Sequence, residues 1–342
     1  MTVGTPEMHK KPGVFYAVGD EGIELPIIDV TNPAFSIEMS DGELDRLLQE
    51  HIRTVERRAK VPAFIQNLML RFMMRQSRIM RALSGAAGGF LGGMDTYLLK
   101  LGPDNMGSAY ASAIDRQISA SLPGLSIRMR LQYISHLLAD GVEPALAAAQ
   151  GQPLHLLNIG GGPAIDSLNT LIILRGQQPD PLTGRSIRIH ILDLDESGPR
   201  FGGRALTALQ EAGAPLHGLD IQFQHIEYNW SDTSILREFL GTLESQAVVA
   251  ASSEGALFEY GTDEDVTANL RALHDHTPAA AVVAGSVTRA DTTGRLMNGS
   301  SRAALQMRGI EAFLALTRAA GWDLAKRLDR PSGHDIRLIK AQ

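Results

Sequence analysis

The chain reads as an α/β protein. An open, mostly parallel sheet with one antiparallel edge is expected over residues 150 to 342, behind a mainly helical region over residues 1 to 149. Three features predict this. A strand-like run, Leu154, Leu156, Leu157 and Ile159, ends in Gly160, Gly161 and Gly162 and passes at once into helical spacing at Ile165, Leu168 and Ile172. Strand and helix patterns then alternate as far as residue 320. Last, Trp322 to Leu328 and Asp335 to Lys340 are joined by Asp329-Arg330-Pro331-Ser332-Gly333-His334 and read as a closing hairpin.

Composition sets the class. The 342 residues, 44% hydrophobic and 20% charged, allow one large or two moderate domains with a sizeable core. A formal charge of −6 gives no support to nucleic-acid binding. With no cysteine there is no disulfide, thiolate metal site or thiol nucleophile. The opening Met-Thr-Val-Gly-Thr-Pro-Glu has no basic flank or apolar core, and no apolar run is as long as a membrane span. A cytoplasmic protein without an integral membrane segment is the expectation.

Taken in order, residues 1 to 13 form a loose tail, and Val14 to Val18 with Ile23 to Val30 form a hairpin about Gly19-Asp20-Glu21-Gly22. Ser40-Asp41-Gly42-Glu43 is a helix-start signature, and helical patterning runs from there, broken at Pro62, to about Leu83. Phe64 to Leu83 interleaves Leu68, Met69, Phe72, Met73, Ile79 and Met80 with Arg71, Arg75, Arg78 and Arg81. Such a basic amphipathic helix suits the core with a solvated arginine face, an anionic surface, or a partner groove. A core-facing helix is the expectation here, with the methionines suited to a greasy pocket or a dimer contact.

Gly85 to Gly93 reads as a hinge, and Ser126 to Leu138 as an amphipathic helix carrying Arg128, Arg130 and Tyr133. Beyond the glycine turn, strands are expected at Ser186 to Leu194, Ile221 to Ile226, Ala247 to Ala251 and Ala279 to Val287. Helices are expected at Phe201 to Ala212, Asp263 to His274 and Ser301 to Ala320.

In such a sheet ligands sit beyond the carboxyl ends of the strands. The residues there are Gly160 to Gly162, Asp193 with Leu194, Tyr228 and Asn229, and Ser252 to Glu254. Glycines at a strand-to-helix turn permit positive φ and close approach of a ligand, although they also occur where helix and sheet only pack tightly. An acid ending the second strand suits a ribose diol, since one carboxylate accepts from both hydroxyls. Asp193 follows Gly160 by 33 residues (193 − 160), against about 20 in the dinucleotide fingerprint, and the loop Gln177 to Gly184 accounts for the extra length. Asp193 is preferred to Asp195 because it ends the apolar run; capping the next helix is the plainer role for such an acid.

Residues 150 to 342 resemble a class I S-adenosylmethionine-dependent methyltransferase with a Rossmann-like seven-stranded sheet. Asn158-Ile159-Gly160-Gly161-Gly162-Pro163-Ala164 is similar to the family's acid-x-Gly-x-Gly-x-Gly turn, with Asn158 in place of the acid and Ala164 in place of the third glycine. Ser253-Glu254-Gly255 resembles the Glu-Gly stretch of the leucine carboxyl methyltransferase-like group, whose glutamate meets the cofactor's amino group. Asp95-Thr96-Tyr97-Leu98-Leu99, Asp104-Asn105 and Asp115-Arg116 resemble a segment preceding the fold there and in an actinobacterial methyltransferase family.

The resemblance implies S-adenosylmethionine as cofactor, held by Gly160, Gly161, Gly162, Asp193, Leu194, Tyr228, Asn229, Ser252, Glu254 and Arg130. Glu254 would meet the ammonium, Arg128 or Arg130 the carboxylate, and Tyr228 with Asn229 the adenine. The N-terminal helices would cover the pocket and offer a surface for a homodimer. The acceptor would be a small, apolar or carboxyl- or hydroxyl-bearing molecule, a guess resting on Phe64, Met69, Phe72 and Met73, with Tyr97 and Tyr260 near it. Methyl transfer needs in-line geometry and exclusion of water more than acid–base chemistry. His225, His274, His276 and His334 are the candidate bases, and no metal is assigned. A nicotinamide-dependent oxidoreductase and a non-catalytic cofactor-binding protein are the alternatives.

Overall fold

The computed structural model describes residues 10–85, 89–298 and 304–341. The N-terminal part begins with a short hairpin, β1 (Tyr16–Val18) and β2 (Glu24–Pro26), then α1 (Asp41–Ala59), α2 (Ala63–Gln76), α3 (Arg78–Gly85), α4 (Gly93–Leu101), α5 (Ala113–Ala120) and the long α6 (Leu122–Ala148). The alternating part follows as β3 (Leu154–Ile159), α7 (Ile165–Arg175), β4 (Ser186–Asp193), α8 (Ser197–Leu209), β5 (Asp220–Glu227), α9 (Ser234–Leu240), β6 (Val248–Ser253), α10 (Leu257–Tyr260), α11 (Asp263–His276), β7 (Val282–Thr288), α12 (Thr292–Asn298), α13 (Gly309–Ala319), β8 (Trp322–Arg330) and β9 (Gly333–Lys340).

The sheet has seven strands in the order β5-β4-β3-β6-β7-β9-β8. Pairing is parallel from β5 through β7, while β9 runs antiparallel to both β7 and β8. This is a Rossmann-like sheet, mostly parallel with an antiparallel edge. The order reverses between β3 and β6, so the carboxyl ends of those strands open a crevice at the switch point.

Side chains alternate across the sheet with period two. Leu154, Leu156, Ile189, Ala250 and Val282 join one core with α6, α7 and α8. Leu157, Ile159, Leu192, Val249 and Val283 join the other with α9, α11 and α13. The first core is continuous with Ile27, Ile28, Tyr97 and Leu101, so the N-terminal elements share it.

Several elements depart from the sequence expectation. The second strand of the hairpin stops at Pro26; the Ile27 N–H still donates to the Phe15 carbonyl at 2.8 Å, and beyond it Asn169 of α7 accepts from the Val30 N–H at 2.7 Å and donates to the Ile28 carbonyl at 2.8 Å. The single basic helix over Phe64 to Leu83 is two helices. Ser77 is extended, and buried Asp115 accepts from the Ser77 hydroxyl at 2.5 Å and the Ile79 N–H at 3.0 Å, which starts α3 afresh. The expectation that this segment faces the core is corrected for α2, which has no buried residue, while α3 buries Ile79 in the core. The helix expected over Ser126 to Leu138 continues through Pro144 to Ala148, held down by buried Val142 and Leu146.

Of the helix expected from Ser301 to Ala320, residues 301–303 lie outside the described residues, and α13 begins only at Gly309, whose φ is 71°. Residues 86–88 of the expected hinge also lie outside them. Among the described residues no helix is long and apolar enough to cross a membrane.

Candidate functional site

The turn after β3 is built for close contact. Gly160, Gly162 and Ala164 all lie at positive φ, 66°, 52° and 51°, so Ala164 keeps the backbone of a glycine although it carries a methyl group. Gly161 is required for a different reason. A Cβ there would fall 1.1 Å from Asn158 Oδ1, and Asn158 is wholly buried, its amide donating to Asp166. Asp166, in the first turn of α7, also accepts from the Ser167 N–H at 2.9 Å; burial, then the charge of Glu254, pushes its pKa up. Asp166, held by the Asn158 amide, thus supplies a buried carboxyl beneath the turn.

Asp193 ends β4 against this turn. Its Oδ2 accepts from the Gly162 N–H at 2.9 Å and its Oδ1 from the Asp195 N–H at 3.0 Å. Burial raises its pKa, against those two hydrogen bonds. Leu194, next to it, is 59% exposed, an apolar shelf at the rim. On the side of β6, Ser252 and Ser253 are buried at the strand end. Ser253 Oγ and Asn158 Oδ1 have no partner among the described residues, two buried acceptors at the switch point.

The crevice is covered in this structure. A Cβ on Gly160 would come within 2.5 Å of the Ala256 methyl and 3.0 Å of the Trp230 ring, and Gly162 lies against Gly93 at the start of α4. Phe90 meets Trp230 and Tyr260 edge-on, with ring centroids 5.1 and 5.2 Å apart. Tyr260 is mostly buried, which pushes its hydroxyl up to about 12.

Behind Gly255 lies a buried ionic network. Glu254 accepts from Lys100 Nζ of α4 and, at 2.6 Å, from Arg130 Nε of α6; Arg130 Nη1 donates to Glu259 at 3.0 Å. Arg330 donates to Asp335 at 2.9 Å and to Ser286, and reaches within 3.6 Å of Glu259. Burial would raise the Glu254 pKa, but Lys100 and Arg130 outweigh it and hold the carboxyl below its usual range.

The structure brings Gly160, Gly161, Gly162, Asp193, Leu194, Asn229 and Ser252 to the carboxyl edge of the sheet. Other expected site residues have partners within the protein. Arg130 and Glu254 are both buried and meet each other, each neutralising the other's charge. Tyr228 is 1% exposed and donates to Asn269 Oδ1 at 2.5 Å, within the core on the far face. Tyr97 is fully buried, donates to the Pro26 carbonyl at 2.6 Å and packs on Phe201, so it anchors the hairpin. Phe64, Met69 and Phe72 are 73%, 57% and 56% exposed, so they do not form a substrate pocket.

Asn105 and Arg116 of the N-terminal motif likewise bind backbone carbonyls, Ala34 with Leu101 and Met106 respectively. Of the histidines, His225 donates to the Asp193 carbonyl at 2.9 Å, while His274 and His334 pair with Asp275 and Asp329. Among the described residues no group of three or more potential ligands is placed to hold a metal ion.

Sequence reasoning missed Trp230, Lys100, Asp166 and Glu259. Signals were present for two of them. Lys100 interrupts the apolar run Leu98-Leu99-Lys100-Leu101, and a lysine there must find a partner. Trp230 is one of two tryptophans and stands at a strand end beside Asn229.

No family model matches the sequence, and no curated protein matches it. Solved structures do match, and the first named shares the fold. A crystal structure from Bordetella parapertussis, described as a possible exported protein, is 17% identical with a TM-score of 0.56 over 91% of this chain and 99% of that one. LepI in complex with SAM is 11% identical with a TM-score of 0.46, over 88% of this chain and 95% of that one. Magnesium protoporphyrin IX methyltransferase (ChlM) from Synechocystis PCC 6803 with bound SAM is 14% identical with a TM-score of 0.39, over 65% and 85%.

Proposed function

We propose that the chain is an S-adenosylmethionine-dependent methyltransferase acting on a small molecule. The observation that carries this reading is the Asp193 carboxylate seated on the glycine turn at the switch point of a methyltransferase sheet. Asp193 would take the ribose hydroxyls, Leu194 the adenine face, and Gly160 to Gly162 the close approach of the rest of the cofactor. The unpartnered Asn158 Oδ1 and Ser253 Oγ fit polar hydrogens arriving there. S-adenosylmethionine, when bound, supplies an electrophilic methyl carbon on a sulfonium.

The chain's own part is to orient the reactants and keep water out. Trp230 and Ala256 lie over Gly160, so the ligand enters only as Trp230 swings aside, after which Phe90, Trp230 and Tyr260 close on it. Those three rings suit an apolar, flat acceptor, and residues 1–149 act as cover through the contact of Gly93 with Gly162.

Calorimetry tests the reading. Wild type is expected to bind S-adenosylmethionine and S-adenosylhomocysteine, and Asp193→Ala to weaken both by about tenfold to a hundredfold. Tight NADH binding with indifference to the sulfonium compound would overturn it in favour of an oxidoreductase. The cover over Gly160 favours a second reading, cofactor binding without turnover. Release of S-adenosylhomocysteine on incubation with candidate acceptors separates the two.

A further inference from the structure

The arm formed by α1 and α2 has no place in that reading. Between Arg57 and Met94 the sequence holds seven basic residues and no acidic one, while the rest of the chain has 25 basic (32 − 7) against 38 acidic. Neither α1 nor α2 contains a buried residue. On α2, Phe64, Leu68 and Phe72, four apart, are 73%, 68% and 56% exposed, and Ile65 and Met69 beside them are 36% and 57% exposed. By the helix period Arg71 edges this stripe on the Phe64 side and Arg75 falls between Phe64 and Leu68. Of the seven basic residues only Arg78 forms an ion pair among the described residues, with Glu21 and Asp95.

We propose that α2 is a membrane-surface anchor, laid in the headgroup region of an anionic bilayer with Phe64, Leu68, Met69 and Phe72 inserted. Large apolar side chains on one side and arginines along the Phe64 edge of that stripe, with no carboxylate on α2 to be repelled, are the composition that such a surface selects. The arginine stems run along the apolar stripe and carry their charges to the phosphates. A second copy fits less well. Two α2 helices facing each other across a two-fold axis would bring both basic rows together, and α2 on an acidic face elsewhere would leave a head-to-tail contact that need not close. The inference stands apart from the methyltransferase reading, because it needs no cofactor.

The test is co-sedimentation of the full chain with vesicles of phosphatidylcholine alone and with about 30% phosphatidylserine. Binding is expected to the anionic vesicles only, and to fall as salt is raised to about 0.5 M. Arg71→Glu/Arg75→Glu and, separately, Leu68→Ser/Phe72→Ser should each weaken it at least about tenfold without lowering the melting temperature, since no altered side chain is buried. Failure to bind at low salt, or equal binding by either variant, overturns the proposal. So does a dimer in light scattering that Leu68→Ser/Phe72→Ser disperses, which would assign the stripe to a second copy.

Discussion

At Gly161 one missing methyl group decides whether the turn can form. The space for a Cβ is taken by Asn158 Oδ1, and Asn158 cannot swing away because its amide is committed to Asp166. Gly161→Ala should therefore destabilise the fold by about 1–3 kcal/mol, the range for overpacking a tight interior, as read by chemical denaturation. A loss near zero would mean that Asn158 is free to move. Tyr97 makes the complementary case. Tyr97→Phe removes the hydroxyl that satisfies the Pro26 carbonyl and should cost about 1–2 kcal/mol while leaving S-adenosylmethionine affinity unchanged. A large loss of affinity at preserved stability would return Tyr97 to the binding site.

Between elements, β3 and β4 carry a stacked histidine pair away from the glycine turn. His155 and His190 lie side by side with ring nitrogens 3.0 Å apart, His155 also meets Glu244 at 2.8 Å, and Arg188 reaches the same carboxylate at 2.9 Å. Burial, then the neighbouring His155, lowers the His190 pKa to about 4. The unfolded chain binds this proton from about pH 6.5 downward and the folded one only near 4, so stability rises with pH across that window. The full effect for His190 is on the order of 3 kcal/mol. His190→Gln should flatten the dependence of unfolding free energy on pH between about 4 and 6.5, and an unchanged slope would remove His190 as its source.

Across the whole molecule, the ionic network and the first core tie the N-terminal helices to the sheet. Lys100 and Arg130 come from α4 and α6, while Glu254, Glu259, Arg330 and Asp335 come from the alternating half. Removing Arg130 leaves two buried carboxylates short of a partner. Arg130→Met should cost about 3–5 kcal/mol and keep a single unfolding transition followed by both circular dichroism and tryptophan fluorescence. Two separated transitions would show that the halves unfold independently.

The sheet was legible in the sequence because its central strands β3, β6 and β7 bury both faces and helices such as α11 and α13 bury one stripe, so period and glycine punctuation report directly on them. The turn and Asp193 were legible for the same reason: strand ends are local facts. The fate of charged and aromatic side chains was not local. Arg130 and Glu254 stand 124 residues apart in the chain, and only folding brings them to 2.6 Å, where each neutralises the other. Likewise the apolar pattern of α2 is compatible with burial or exposure, and only the packing around it left that face to solvent. Local order followed from periodicity, while partners across long loops and the side from which a helix is covered depend on contacts that no window of sequence contains.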